Sequence, residues 1–383
     1  MSLCFFIKDY QDLDHFAPVI NYLKDDKIFV FLENKELIQD KRLIFLKQFA
    51  EIIIINKQNK ILQSFKNYVF RFYLLEKIIF FLIKVLSYTK ILSFFFKNHF
   101  FVKNNINVLI YDHRPPQNCR YIFLSKLLNI KIISIPHGYH IFTDEIEFAE
   151  SQKSRNIYDH YTTQNNLQKQ MLISLDINQN KLMVMGSPRF EHNWINELKR
   201  IYSKNNILFK NNNPILSIFL GHWKYGINRE KTIELLKNII TLKNYNIILN
   251  LHTRGSSELE IEEINELKKN NNLTINNTKC HASQIIEISN IIIGVGTSVL
   301  LECITKRKKF YYLSYLQKYK TIFEDLYDHQ LPKSNSEVIE ILKKFKKSED
   351  SSTNQSNDFY IKYIKNNIKS LEDTHKNFFR KLN

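Results

Sequence analysis

The chain runs to 383 residues, 44% of them hydrophobic and 24% charged. That apolar share excludes wholesale disorder, and only 7 glycines and 7 prolines exclude a collagenous or low-complexity chain. The 55 Lys+Arg against 38 Asp+Glu leave a net charge of +17, which suits nucleotide phosphates, anionic lipid or nucleic acid, although a chain this rich in Ile, Asn and Lys owes part of that charge to its composition.

At roughly 150 residues per domain the length predicts two domains. Short Ile/Val/Phe-rich runs predict strands over 3–7, 27–32, 51–55, 107–111 and 131–135. Helical patterns lie between them, including 120–128. The stretch 65–101 is the greasiest in the chain, but Arg71, Glu76, Lys77, Lys84, Lys90 and Lys97 interrupt it. A spanning helix needs about 20 nearly uninterrupted apolar residues. The pattern instead suits two amphipathic helices, an insertion that either rests on an anionic membrane surface or packs on a sheet with its lysines in water.

The middle, 142–180, reads as polar and irregular apart from a helix over 164–174. A strand over 182–185, a turn at Gly186-Ser187-Pro188-Arg189 and a helix through Ile201 follow. A linker at 203–214 separates an N-terminal domain, 1–203, from a C-terminal one, 214–347. There the alternation restarts: strands over 215–220, 246–251, 273–275, 290–295 and 309–313, with helices over 230–241, 259–269, 283–288 and 297–305. A spacer from 348 leads to a terminal helix over 359–381. Alternating strand and helix implies parallel sheets whose ligand crevices lie at the carboxyl ends of the strands.

The four cysteines, Cys4, Cys119, Cys280 and Cys303, show no metal-ligand spacing and suit a reduced, cytoplasmic protein. The N-terminus lacks the features of a signal peptide. Asp12-Leu13-Asp14 resembles a metal-binding DxD but reads as the cap of a helix beginning near His15. No metal or other cofactor is assigned.

All seven glycines fall at or just after an apolar run, where backbone turns or approaches a ligand. The sharpest motif is Gly294-Val-Gly296-Thr297-Ser298, a strand running into a helix start whose amides and hydroxyls suit a phosphate, with Glu302 placed for a ribose. The plainer reading is an ordinary capped helix. His252 and Arg254 in Leu251-His-Thr-Arg-Gly255 can face one anion, and Arg suits bidentate phosphate contact. His222 or Lys224 after Gly221, and Arg189 with Gly186 and Ser187, add donor-side candidates; taken singly, each cation also reads as a solvated charge. In the first domain Pro136-His137-Gly138-Tyr139-His140 has the same strand-then-glycine form. His137 is a natural general base for a hydroxyl, or a turn histidine. Asp144 and Glu145 follow closely, and the Asp112 carboxylate can act as base or orient His137.

These four segments, IPHGYH, MGSPRF, LHTRG and GVGTSVLLE, in this order resemble bacterial GT-B glycosyltransferase-like proteins that build capsules and other surface polysaccharides, and CDP-glycerol glycerophosphotransferases of teichoic acid synthesis. The likeness covers 106–313. It implies an α/β fold of two facing Rossmann-like domains, donor nucleotide on the second, acceptor on the first, and the last helix returning to the first. It makes His137 the catalytic histidine and His252, Thr297, Ser298 and Glu302 contacts to donor phosphate and ribose. The glycerophosphotransferases usually show Lys-x-His-Pro where this chain has Asn250-Leu251-His252-Thr253, and Asp-Tyr-Ser-Ser where it has Gly296-Thr297-Ser298, which favours a sugar donor over a polyol phosphate.

The expected activity is therefore metal-independent transfer from a nucleotide-activated sugar to a hydroxyl of a glycan or lipid-linked acceptor, in the cytoplasm or at the inner membrane face. The rival readings are a polyol-phosphate transferase, a sugar-nucleotide epimerase and a basic RNA- or membrane-binding module. The chain has no RNA-binding signature, which counts against nucleic acid.

Overall fold

The computed structural model describes residues 1–55, 99–113, 120–144, 157–203, 209, 211–251, 259–276, 280–326, 331–345 and 355–382. The helical insertion read at 65–101, and with it the membrane surface, falls almost wholly outside the described residues. Among those described, no helix is long and apolar enough to cross a membrane. The chain divides into two units, Met1–Gly138 with Ala149–Pro188 and Ser370–Asn383, and Tyr139–Phe148 with Arg189–Lys369.

The N-terminal unit is built on a seven-stranded sheet: β1 (Ser2–Ile7), β2 (Lys27–Leu32), β3 (Ala50–Ile54), β4 (Val108–Asp112), β5 (Lys131–Ile135), β6 (His160–Thr163) and β7 (Leu182–Val184). Their order is β3-β2-β1-β4-β5-β6-β7, every pairing parallel. Strands β1 and β4 are buried along their whole length, as continuous apolar runs at the centre of a doubly covered parallel sheet must be. Strand β6 lies inside the stretch read as irregular. Its sequence, His-Tyr-Thr-Thr, looks polar, but Thr162 Oγ1 donates to Ser134 O at 3.1 Å and Thr163 Oγ1 to Met183 O at 3.3 Å. With the hydroxyls satisfied, the β-branched side chains fit a buried strand.

The C-terminal unit carries β8 (Ile215–Leu220), β9 (Asn246–Asn250), β10 (Leu273–Asn276), β11 (Ile291–Val295) and β12 (Phe310–Tyr312), all parallel, in the order β10-β9-β8-β11-β12. Renumbered from its first strand this is 3-2-1-4-5, the order of the first five strands of the other unit and of a dinucleotide-type Rossmann half. The two units share topology without sharing sequence.

Three sequence boundaries move. The helix His192–Ile201, read as the end of the first domain, belongs to the C-terminal unit, where its buried Trp194, Ile195 and Leu198 face the helices Ala282–Ile288 and Leu300–Thr305. The single terminal helix read at 359–381 is broken: a π-helix, Tyr360–Ile364, ends where Asn366 and Asn367 take left-handed φ of 49° and 60°, a conformation asparagine tolerates better than most residues. A separate helix, Leu371–Arg380, starts on a Ser370 cap and packs on Tyr10–Tyr22 in the N-terminal unit. That first helix begins five residues before His15, capped by Asp9, whose Oδ1 accepts from the amides of Gln11 and Asp12.

The interface of those two helices holds a buried histidine. His375 is 3% exposed, bonds Leu371 O through Nδ1 at 2.8 Å and lies edge-on to Tyr22. Burial lowers its pKa from 6.5 to about 4, against the pull of the Leu371 carbonyl. The unfolded chain therefore takes up this proton below about pH 6.5 while the folded chain resists it down to about 4. Stability is complete above that window and falls by about 1.4 kcal/mol per pH unit within it. His113 and His140, both lowered to about 4 by burial, act in the same sense. The expected result is a urea midpoint, followed by circular dichroism, that drops between pH 6.5 and 4; His375→Gln removes one increment of that slope. A flat profile contradicts it.

Candidate active site

In the N-terminal unit the strand order reverses between β1 and β4, and a parallel sheet opens a crevice at the carboxyl ends of such a pair. Asp112 is the last residue of β4 and stands in register with Ile135 at the end of β5. Two residues further on, His137 turns back, and its Nδ1 lies 2.5 Å from Asp112 Oδ1. Lys8, just past β1, holds its ammonium 4.0 Å from Asp112 Oδ2, and Tyr158 OH donates to the Asp112 carbonyl at 2.9 Å.

The carboxylate is almost fully buried and the imidazole 13% exposed, so the pair has a closed end and an open one. Burial alone would push the Asp112 carboxyl up. The imidazole of His137 and the ammonium of Lys8 outweigh it and hold the group well below the usual carboxylate range. An ionised Asp112 accepts the Nδ1 proton, which makes Nε2 the basic nitrogen of His137. His113 has a different part. Its Nε2 bonds Thr162 O at 2.8 Å, and burial lowers its pKa to about 4 despite Asp112 beside it. It stays neutral and ties β4 to β6.

Asp12, read from sequence as a helix cap, lies in the first turn of Tyr10–Tyr22 and is 1% exposed. Its Oδ2 accepts the Lys8 amide at 2.8 Å. One polar atom each from Asp12, Asp112 and His137 lie within 4.8 Å of one another, the one such trio among the described residues. Lys8 serves both carboxylates, its ammonium facing Asp112 and its backbone amide donating a hydrogen bond to Asp12.

A buried amide network supports the loop that carries His137. Gln168 Nε2 donates to Gly138 O at 3.1 Å, the Gln164 amide donates to Gln168 Oε1 at 2.8 Å, and Gln164 Nε2 meets His15 Nδ1 at 2.7 Å. Ser187, fully buried, donates to Gln164 Oε1 at 3.4 Å. The Gly186-Ser187 turn thus joins the histidine loop within one unit, continuing a β6–β7 pairing in which Met185 N reaches Thr163 O at 2.7 Å. Lys8, Gln164 and Gln168 did not stand out in the sequence, and Asp12 stood out there only as a helix cap. The usable signal was position: Lys8 and Asp12 immediately follow a buried strand.

The C-terminal unit has its own reversal, between β8 and β11. Gly221 follows β8, and its amide bonds Val295 O at 2.7 Å. A Cβ on Gly221 would stand 2.2 Å from Gly296 O, and Gly296 has φ +57°. Glycine is required at both places, and the two strand ends lie backbone against backbone. Thr297 Oγ1 accepts the Val299 amide at 3.3 Å, and Ser298 follows in the same turn. The helix itself is short, Leu300–Thr305, beginning three residues later than the sequence suggested. Its terminus contributes little dipole, so the site rests on the strand ends. His222 Nδ1 accepts the Lys224 amide at 3.3 Å and its ring stands edge-on to Tyr225.

Glu302 faces inward on that helix, 1% exposed and 3.3 Å from Lys306 Nζ, an ion pair without hydrogen-bond alignment. Lys306 also pairs with Glu287 at 3.3 Å. Arg189, largely buried, lies 4.9 Å from the Phe190 ring. Asp144 is exposed and accepts the Lys320 amide at 2.8 Å within the C-terminal unit, whereas Asp112 and His137 belong to the other unit. His252 and Arg254 lie outside the described residues.

Two parallel sheets in Rossmann order, each with a glycine- or histidine-bearing loop at its reversal, define an α/β protein of two Rossmann-like domains, the GT-B class of fold. No protein-family model matches the chain, and no curated protein matches it in sequence. Solved structures do match. The UDP-GlcNAc 2-epimerase of Neisseria meningitidis bound to UDP-GlcNAc is similar at 13% identity, with a TM-score of 0.57 over 100% of this chain and 99% of that one. A glycosyltransferase from Rickettsia africae is similar at 14% identity, with a TM-score of 0.54 over 100% and 97%. The wall teichoic acid polymerase TagF, soaked with CDPG, is similar at 10% identity, with a TM-score of 0.56 over 100% and 88%. At these identities the likeness establishes the fold.

Proposed function

We propose that this protein is a glycosyltransferase that moves a sugar from a nucleotide-sugar donor to a hydroxyl of a surface polysaccharide or lipid-linked glycan, with His137 as general base and no divalent ion. The observation that carries the reading is the buried Asp112 carboxylate, 2.5 Å from His137 Nδ1 at the carboxyl ends of β4 and β5. With Nδ1–H held by Asp112, Nε2 takes the proton of the acceptor hydroxyl. The freed oxygen attacks the anomeric carbon, and the bond from that carbon to the donor phosphate oxygen breaks. The departing nucleotide carries the electron pair and the negative charge, while the proton on Nε2 passes to solvent.

The glycine-lined end of β8 and β11 supports a donor site on the C-terminal unit, because bare backbone lets a pyrophosphate approach the amides. Thr297 and Ser298 would add hydroxyls there, and His222, Arg189, His252 and Arg254 would balance the charge that builds on the leaving group, with the Gly186-Ser187 turn carrying Arg189. Glu302 enters as a ribose contact through the family resemblance. Several GT-B neighbours were crystallised with nucleotide-linked ligands, among them UDP-GlcNAc and CDPG, which supports the donor class.

The test is a thermal-shift series with UDP, CDP, CMP and GDP, followed by donor turnover with and without a hydroxyl acceptor. One nucleotide is expected to raise Tm in a concentration-dependent way, and donor loss is expected to depend on the acceptor. Conversion of the donor sugar with no acceptor present would replace transfer by epimerisation. Turnover of a CDP-polyol alone would move the reading to polyol-phosphate transfer, and binding of no nucleotide would end it.

A further inference from the structure

Asp12 and Asp112 are both at most 3% exposed, and their carboxyl groups share a site less than 4.8 Å across. Two ionised carboxylates that close, with little water between them, repel strongly enough that one takes up a proton. The surroundings are unequal. Asp112 faces the His137 ring at 2.5 Å and the Lys8 ammonium at 4.0 Å, whereas the hydrogen bond to Asp12 comes from the neutral amide of Lys8 at 2.8 Å.

We propose that the two carboxyl groups share one proton at neutral pH and that it resides on Asp12, which makes Asp12 a neutral positioning residue behind the Asp112–His137 pair. The kinetic consequence rests on the transferase reading; the protonation itself does not. The groups acting on Asp12 are Lys8 and Asp9 from the turn after β1 and Asp112 from the end of β4, with His137 from the loop after β5 in the same trio. Burial is the largest influence raising the pKa of Asp12, followed by the charges of Asp112 and Asp9, with Lys8 opposing. A charged Asp12 would compete with Asp112 for Lys8 and for the Nδ1 proton of His137; an uncharged one leaves Asp112 as the sole anion aligning the ring.

The experiment uses the full chain labelled with carboxyl-¹³C aspartate, titrated from pH 5 to pH 8, the Asp12 resonance being the one lost in Asp12→Asn. That resonance is expected at the acid position at pH 7. A resonance at the ionised position at pH 7, with a transition in the ordinary aspartate range, overturns the proposal. Micromolar Mn²⁺ that broadens it, reversed by chelation, also overturns the proposal and assigns the cluster to a cation. In kinetics, Asp12→Ala is expected to lower kcat at least tenfold with KM for the donor unchanged, and the uncharged isostere Asp12→Asn to recover most of that loss. An Asn variant no better than Ala, both folded by circular dichroism, counts against a neutral Asp12. If the wild-type protein transfers no sugar, the transferase reading fails while the carboxyl resonance still decides where the proton lies.

Discussion

His137→Ala is expected to reduce turnover by about 10²–10⁴-fold, the range lost when a positioned general base is removed, while the nucleotide-induced thermal shift is retained. Asp112→Asn should be almost as damaging for a different reason. The amide can present N–H to Nδ1 and stabilise the opposite tautomer, which puts the proton on Nε2, the nitrogen that must accept one. Both losses are expected in kcat, with KM for the donor little changed, because the two side chains lie in the N-terminal unit and the donor is assigned to the other. The pH dependence has a definite sign. Burial opposes ionisation of Asp112, but His137 and Lys8 hold its carboxyl well below the usual range. Its contribution to stability is therefore complete above the unfolded aspartate pKa, about 3.9, and is lost as pH falls through the lower folded value. The orienting charge stays constant across the neutral range. An Ala variant at 137 with near-normal transfer would remove the base assignment.

Gly221→Ala is expected to carry a large stability cost in the C-terminal unit, since among the described glycines it brings an added Cβ closest to backbone. The added carbon would lie 2.2 Å from Gly296 O, 2.7 Å from Gly296 C and 2.9 Å from Val295 O. All three are backbone atoms, so no side chain can rotate away, and the amide bond from Gly221 to Val295 must shift with them. Overpacking of this kind costs about 1–3 kcal/mol or more. Both tryptophans, Trp194 and Trp223, belong to this unit, so tryptophan fluorescence in urea follows it selectively. The midpoint should fall and nucleotide binding should weaken together. Gly138→Ala, in the N-terminal unit where a Cβ meets nothing within 4 Å, is the control for a methyl placed outside this unit, and its fluorescence midpoint should match wild type within about 1 kcal/mol. Equal midpoints for the two variants would mean that the ends of β8 and β11 are not in contact.

Most strands of both sheets were legible as apolar runs, because burial on both faces of a parallel sheet is written locally into each run. Strand β6 was not, because its threonines look polar until their hydroxyls are seen bonded to Ser134 and Met183 carbonyls. The terminal helix was read through its break because the left-handed turn rests on two asparagines with no glycine or proline to mark it. His192–Ile201 was placed on the wrong side of a boundary because amphipathicity says that a face is buried, not against which partner.

The same division runs through the site. The residue types, and their positions just past buried strands, were determined by the sequence alone, since a strand must end in a turn and the turn must carry polar groups. Which of those ends meet was decided by pairing. Asp112 and His137 touch because β4 lies beside β5, and Lys8 and Asp12 join them because β1 lies beside β4, across more than a hundred residues of chain. Hydrogen-bond ladders between distant segments set that order. Their partners are chosen by long-range packing, so the buried cluster of two carboxyls, an imidazole and an ammonium exists only in the folded sheet.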